Sequence, residues 1–450
     1  VLNEGALIST SATWGEVVNR GTFDIPLEPA TEAPTYVGTL VLEQGTISGA
    51  GVLDVERVVV PAGGHNLSAR SGQYVFTGGE ISGGTLTFTA GTTVVFGEDS
   101  TTYLRSSVVN RGAVTVKGHV SFEGATWTNH GTLNVTDEDN EAWHYNRLAI
   151  GEGVNQIVNK AGATIAASDT SEEVADDVWI EVAVLNEGAL ISTSANWGEV
   201  INRGTFEIIP ELATEAPTYV AALQLSTGSL TGAGTLGLGN LVSPATGKTL
   251  TARAGSYVFS GGTISGGTLT VGSGARVECD EYSATTLRSS WINHGQIDVR
   301  DHVYFTGVTL TNYGSVVVED GDGNWYGAAL SDSEGTNRIV NKAGATLTAK
   351  GLDSYRALVS VPVLNEGILV SESADWSEVT NNARLVLRGD GSENAGTSVN
   401  KLVLASTSVL QAPIVRVAGF ATAGAPLTVQ TETVLKGRLE GVVPSGFATP

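Results

Sequence analysis

Apolar side chains recur at every second position in short runs along this chain. Examples are VVNRGTFDI at 17–25, WTNHGTLNV at 127–135 and GGTISGGTLTV at 261–271. A period of two is the signature of half-buried strands. No stretch of ten residues carries a helical period. The runs are punctuated by one motif: two apolar residues, Asn, any residue, Gly, then renewed alternation. It occurs at Asn3, Asn19, Asn110, Asn129, Asn186, Asn202, Asn293 and Asn312, and Asn159 and Asn341 carry the variant NKAG. Within each cluster adjacent motifs lie 16 to 30 residues apart. Asn and Gly both tolerate positive φ, so each N-x-G is expected to turn the chain sharply between strands.

A longer repeat overlies this rhythm. Residues 1–25, VLNEGALISTSATWGEVVNRGTFDI, return at 184–208 with three differences, and a divergent copy, VLNEGILVSESADWSEV, begins at Val363. The organisation read from this is unit 1 at 1–183, unit 2 at 184–362 and a partial, divergent unit 3 at 363–450, forming one continuous rod. Short strands, regular corners and no helix predict an all-β, right-handed parallel β-helix, a β-solenoid of about 20 coils. A string of antiparallel sandwiches also has strands and turns, but its segments would not resemble one another so closely. At the spacing of stacked strands the rod would measure about 95 Å, and each repeat about 38 Å. Stacked corners would place the Asn side chains in amide ladders.

These coils resemble those of bacterial surface and secreted β-helix proteins, filamentous-haemagglutinin-type adhesins and autotransporter passengers among them. The glycine-rich segments TGAGTLGLGN and SGGTLTVGSG resemble coils of large bacterial surface proteins in the same way. The resemblance spans nearly the whole chain and weakens after about Arg388. It implies a parallel β-helix at the cell surface or outside the cell, and no particular receptor.

Charge narrows the partners. Lys and Arg number 24 against 47 Asp and Glu, a net charge of −23. Such a surface repels polyanions, so nucleic acid and anionic membranes are excluded as expected partners. One cysteine, Cys279, rules out an internal disulfide framework and a thiolate cluster. No apolar run reaches the roughly 18 residues of a membrane span, so no membrane insertion is expected. Val1 is no translational start, which points to a processed chain or a piece of a longer one.

The candidate chemistry is sparse. TDEDNE at 136–141 and EDGDGN at 319–324 place Asp137, Asp139 and Glu141 opposite Asp320, Asp322 and Asn324. Oxygen ligands at alternate positions are how calcium loops begin, and calcium is the one cofactor the sequence suggests. The Gly expected at position 6 is Ala142 or Trp325, and no bidentate Glu stands at position 12. The competing reading is a solvated acidic loop. Trp14, Trp197 and Trp376 recur as sugar platforms or as corner-closing side chains. His119 and His302 recur, but His130 and His144 are replaced by Tyr313 and Tyr326, and His294 by Arg111, which argues for packing over catalysis. Cys279 answers Phe96 and reads as a small buried apolar residue. GAGTLG at 232–237 has strands on both sides, so it is a coil and no dinucleotide fingerprint.

No catalytic centre is expected, because nothing acidic plus basic is unique to one repeat and set against a cleft-forming insert. The expected function is a structural subunit of an extracellular filament, with itself or a further solenoid module as partner. The alternatives are an adhesin for glycan or another surface protein, and a polysaccharide-acting lyase or glycosidase.

Overall fold

The computed structural model describes residues 1–27, 32–98, 100–137, 146–169, 178–211, 216–281, 283–319, 327–351, 356–388, 397–405, 409–411, 414–423, 428–429 and 434–440, with side chains to Leu404. No helix occurs among them. The chain is a parallel β-helix whose strands pair in parallel with those of the next coil. Packing divides it into two compact units, Val1–Thr235 and Leu236–Pro450.

A coil consists of three strands, except where one long strand, Ala195–Asn202 or Ala374–Asn381, pairs with both the third and the first sheet. In the first unit the first sheet stacks Val108–Asn110, Thr126–Asn129, Gln156–Asn159 and Val184–Asn186, each ending on a corner Asn. The second sheet stacks Ala113–Val116, Thr132–Asp137, Thr164–Asp169 and Ala189–Thr193. The third stacks His119–Phe122, Arg147–Ile150 and Val178–Ile180. The second unit repeats the plan, with Trp291–Asn293, Thr309–Asn312 and Arg338–Asn341 in its first sheet.

Alternation decides which side chains fill the coil. In Thr132–Asp137 the residues Leu133 and Val135 are wholly buried while Thr132, Asn134 and Thr136 point outward. Aromatic residues stack inside along the axis, with ring centroids 5.2 Å apart for Phe76 and Phe96 and 5.8 Å for Phe96 and Trp127. Burying such side chains stabilises a fold by roughly 1.5–3 kcal/mol each, which compensates for the many ordered loops and glycines.

The corners are held by amide ladders. Asn110 Nδ2 donates to Asn129 Oδ1 at 2.8 Å, and the same bond links Asn129 to Asn159, Asn159 to Asn186 and Asn186 to Asn202. In the second unit the ladder runs Asn293, Asn312, Asn341, Asn365, Asn381. The second amide hydrogen of Asn110 goes to Thr132 O at 2.9 Å, and its Oδ1 accepts from Gly112 N at 2.9 Å. Every polar atom of the buried amide is therefore satisfied, which a fully buried polar group requires.

The glycine of N-x-G serves a purpose other than the expected one. None of Gly112, Gly131, Gly204 or Gly314 has positive φ. A Cβ at Gly131 would lie 2.1 Å from Gly112 O, and one at Gly204 would lie 2.0 Å from Gly188 O. Close approach of one corner to the carbonyl of the coil before it excludes a side chain. Positive φ belongs to the NKAG variants instead, at Gly162 (84°) and Gly344 (85°).

Candidate functional site

The structure brings the eight predicted corner asparagines together: Asn3 with Asn19, and the other six into the two longer ladders. All are 0–5% exposed and their polar atoms are consumed by the ladder, so they carry the fold and no chemistry. Asn365 and Asn381 belong to the same series. Both were legible, Asn365 in VLNEG and Asn381 in TNNAR, where Ala383 replaces the glycine and its carbonyl accepts from Asn381 Nδ2 at 2.9 Å.

Of the six proposed calcium ligands, only Asp137 falls within the described residues. Asp139, Glu141, Asp320, Asp322 and Asn324 lie outside them. Asp137 ends its strand 3% exposed, with Asp169 (5% exposed) as its register partner on the next coil. Among the described residues no three His, Cys, Asp or Glu side chains form a metal-binding group.

Trp197 and Trp376 are not platforms. Trp197 and Trp376 are each 2% exposed, and their Nε1 donates to Ser192 Oγ at 2.9 Å and Ser371 Oγ at 2.8 Å. Thr218 and Thr397 complete each cluster through hydroxyl contacts of 3.0 and 2.8 Å. Trp14 makes the same bond to Ser9 at 2.9 Å but is less buried. The turn into each Trp strand passes through Ser11, Ser194 or Ser373 with φ near 50°. This left-handed turn was not foreseen, since serine is not a usual marker for one. The Cys279 thiol is buried and pushed up to about 12 by desolvation, so it is not a nucleophile at neutral pH.

One polar cluster is in part specific to the second unit. On the outward side of its second sheet, Arg276 pairs with Asp298 at 3.2 Å, and Arg300 pairs with Glu278 at 3.1 Å and Glu281 at 3.5 Å. Gln296 Nε2 donates to both Asp298 oxygens at 2.9 Å. One coil further, Lys350 pairs with Glu319 at 2.5 Å, which raises the lysine pKa through that hydrogen bond first. Arg276, Gln296, Asp298, Arg300 and Glu319 line an open cleft of about 430 Å³.

The first repeat has Thr93, Val95, Ala113, Thr115, Lys117 and Thr136 at the positions of Arg276, Glu278, Gln296, Asp298, Arg300 and Glu319. The Arg276–Asp298 and Arg300–Glu278 pairs thus belong to the second unit alone, whereas Lys117 and Glu98, 3.3 Å apart, answer Arg300 and Glu281. The signal lay in the outward positions of aligned strands, RVEC against TVVF, which corner motifs do not report. Chemically the cleft offers planar donors and acceptors already cross-linked to one another. Such an arrangement suits rigid hydrogen bonding to a small polar ligand. No protein-family model matches the chain, and a search of curated proteins finds no relative.

Proposed function

We propose that the protein is a structural module of an extracellular fibre, built to stack coil on coil with another solenoid, either a second copy or a further module. The observation that carries this reading is a coil surface built to be covered by another coil. At 184–193 the sequence VLNEGALIST sits under the strands Gln156–Asn159 and Thr164–Asp169, with Val184 1% exposed and Asn186 Oδ1 accepting from Asn159. What fits that surface is an NKAG-type coil edge with its own Asn at the corner. Backbone hydrogen bonds and one ladder amide supply such an interface without opposite charges, while the net charge of −23 disfavours lateral clumping.

The test is electron microscopy together with sedimentation across a concentration series. End-to-end association that grows with protein concentration is the expected result. Chains that stay monomeric at the highest soluble concentration would refute the proposal.

A further inference from the structure

We propose that the open cleft on the second sheet of the second unit binds a neutral sugar, a pyranose ring presenting vicinal hydroxyls. The proposal is independent of the fibre reading. Outward columns of three parallel strands build the cleft: Arg276–Cys279, Gln296–Val299 and Ser315–Glu319. Their register puts Arg276, Gln296 and Ser315 in one column and Glu278, Asp298 and Val317 in the next.

The long side chains of the first two coils give way on the third to Ser315 and Val317, which are short and half-buried. The cleft of about 430 Å³ lies at that step, with Val317 as its apolar lining and Glu319, the register partner of Lys350, at the strand end. Its volume falls within the roughly 300–1,000 Å³ of small-ligand sites.

Charge decides what the cleft takes. Each cation at the site already has its opposite: Arg276 has Asp298, Arg300 has Glu278 and Glu281, and Lys350 has Glu319. A charged ligand would have to break one of these pairs. What remains is hydrogen-bonding capacity. Arg276 gives its Nε–H to Asp298, and neither Nη makes a hydrogen bond among the described residues. Gln296 gives its Nε2 to Asp298 and keeps Oε1 as an acceptor. Lys350 bonds one oxygen of Glu319, Oε1. A hydroxyl both donates and accepts, so a vicinal diol can take an N–H from a guanidinium and give its own proton to an amide or carboxylate oxygen. The C–H face of the ring can rest on Val317. The existing pairs hold these groups in place beforehand, which lowers the entropic cost of binding.

The fold does not require them. The first unit builds the same coils with Thr93, Ala113, Thr115 and Thr136 in place of Arg276, Gln296, Asp298 and Glu319, and with Asn134 in place of Val317. Side chains that only held the sheet together would be needed in both repeats.

Saturation-transfer NMR on the whole chain tests the assignment, with the methyl pyranosides of glucose, galactose and mannose titrated to millimolar concentration. Binding of at least one is expected. Its disaccharides separate a glycan chain, bound more tightly than the single ring, from a free sugar, bound equally. Arg276→Thr plus Asp298→Thr, which installs the first unit's residues, should abolish the transfer, and Gln296→Ala should weaken binding roughly tenfold. Lys117→Ala, at the first unit's counterpart of Arg300, should change nothing. Circular dichroism and the melting temperature check that each variant folds. Because the ligand is neutral, affinity should hold steady as salt rises. Transfer to none of the three sugars overturns the proposal. So does binding that survives Arg276→Thr plus Asp298→Thr, or affinity that falls steeply with salt.

Discussion

The second sheet of each unit has nearly the same inside and a different outside. Val94 and Phe96 point inward in one strand and Val277 and Cys279 in its counterpart, all at most 2% exposed. Outward, Thr93 and Val95 face Arg276 and Glu278, and Thr115 and Lys117 face Asp298 and Arg300. The corner amides above and below are unchanged, with 2.8 Å ladder bonds in both units. The difference separates two tasks. Inward alternation and the Asn–Gly corner specify the coil, and the outward positions are free to diverge because they touch only solvent and the same position one coil away.

If that division holds, breaking the ladder should cost both units alike, and this is the largest effect expected. Asn129 Nδ2 donates to Asn159 Oδ1 at 2.8 Å and Thr164 O at 2.9 Å, and its Oδ1 accepts from Asn110 and Gly131. Asn312 makes the equivalent set with Asn341, Thr346, Asn293 and Gly314. Leucine at either position leaves buried amides of both neighbouring coils unsatisfied. Each such group costs roughly 1–3 kcal/mol, so a loss of about 3 kcal/mol or more is expected for Asn129→Leu and for Asn312→Leu. Hydrogen exchange should show opening centred on the substituted coil. Full protection in one variant and collapse in the other would end the claim that the corners are equivalent.

The Trp clusters sharpen the comparison at a smaller scale. Trp197→Phe and Trp376→Phe keep the ring but remove the donor to Ser192 or Ser371 within a buried trio. Each should cost about 1–2 kcal/mol in chemical denaturation. Trp14→Phe should cost less, because that copy is only part-buried. Equal losses at all three positions would mean that ring packing, and not the indole hydrogen bond, dominates.

Next comes the outer face itself. The quadruple change Arg276→Thr, Glu278→Val, Asp298→Thr and Arg300→Lys writes the first unit's residues onto the second. The ion pairs it removes are partly exposed, 51% against 13% for Arg276 and Asp298. Exposed pairs contribute little, so stability should move by about 1 kcal/mol or less. The melting temperature of the parent should depend on salt more strongly than that of the variant. A loss of several kcal/mol would show that the outward cluster is part of the fold after all.

The same division explains what could be read from sequence. Leu133 and Val135 against Thr132 and Asn134 predict a half-buried strand by alternation alone, and NRG, NHG and NEG mark corners by residue type. Both signals arise from local rules that repeat at every coil. The reason for the glycine did not follow, because a Cβ at Gly131 collides with Gly112 O on another coil and not with its own backbone. Nor did the cleft. Arg276 and Asp298 are 22 residues apart, and only the register of the strands makes them neighbours. The signal that does reach them is the comparison of repeats at outward positions, where Thr93 becomes Arg276 and Thr115 becomes Asp298.

The smallest expected effect concerns a histidine shared by both repeats. His119 and His302 occupy the same outward position, but the residue beside them one coil on is Arg147 in the first unit and Ala329 in the second. Burial lowers the His119 pKa below 6.5, the nearby Arg147 lowers it further, and Glu181 opposes both. A folded-state value below the unfolded one means that the unfolded chain takes up the proton first as pH falls through 6.5. The contribution of His119 to stability is therefore complete above that pH and is lost as the pH drops toward the folded value. Because the ring is partly exposed, the slope should be shallow, a change of about 1–2 °C in melting temperature between pH 7 and pH 5. His119→Gln should remove that component, and Arg147→Ala, which installs the other repeat's residue, should shrink it without removing it. A steeper acid loss in His119→Gln than in the parent would reverse the sign of the argument and place the acid sensitivity of this face on its carboxylates instead.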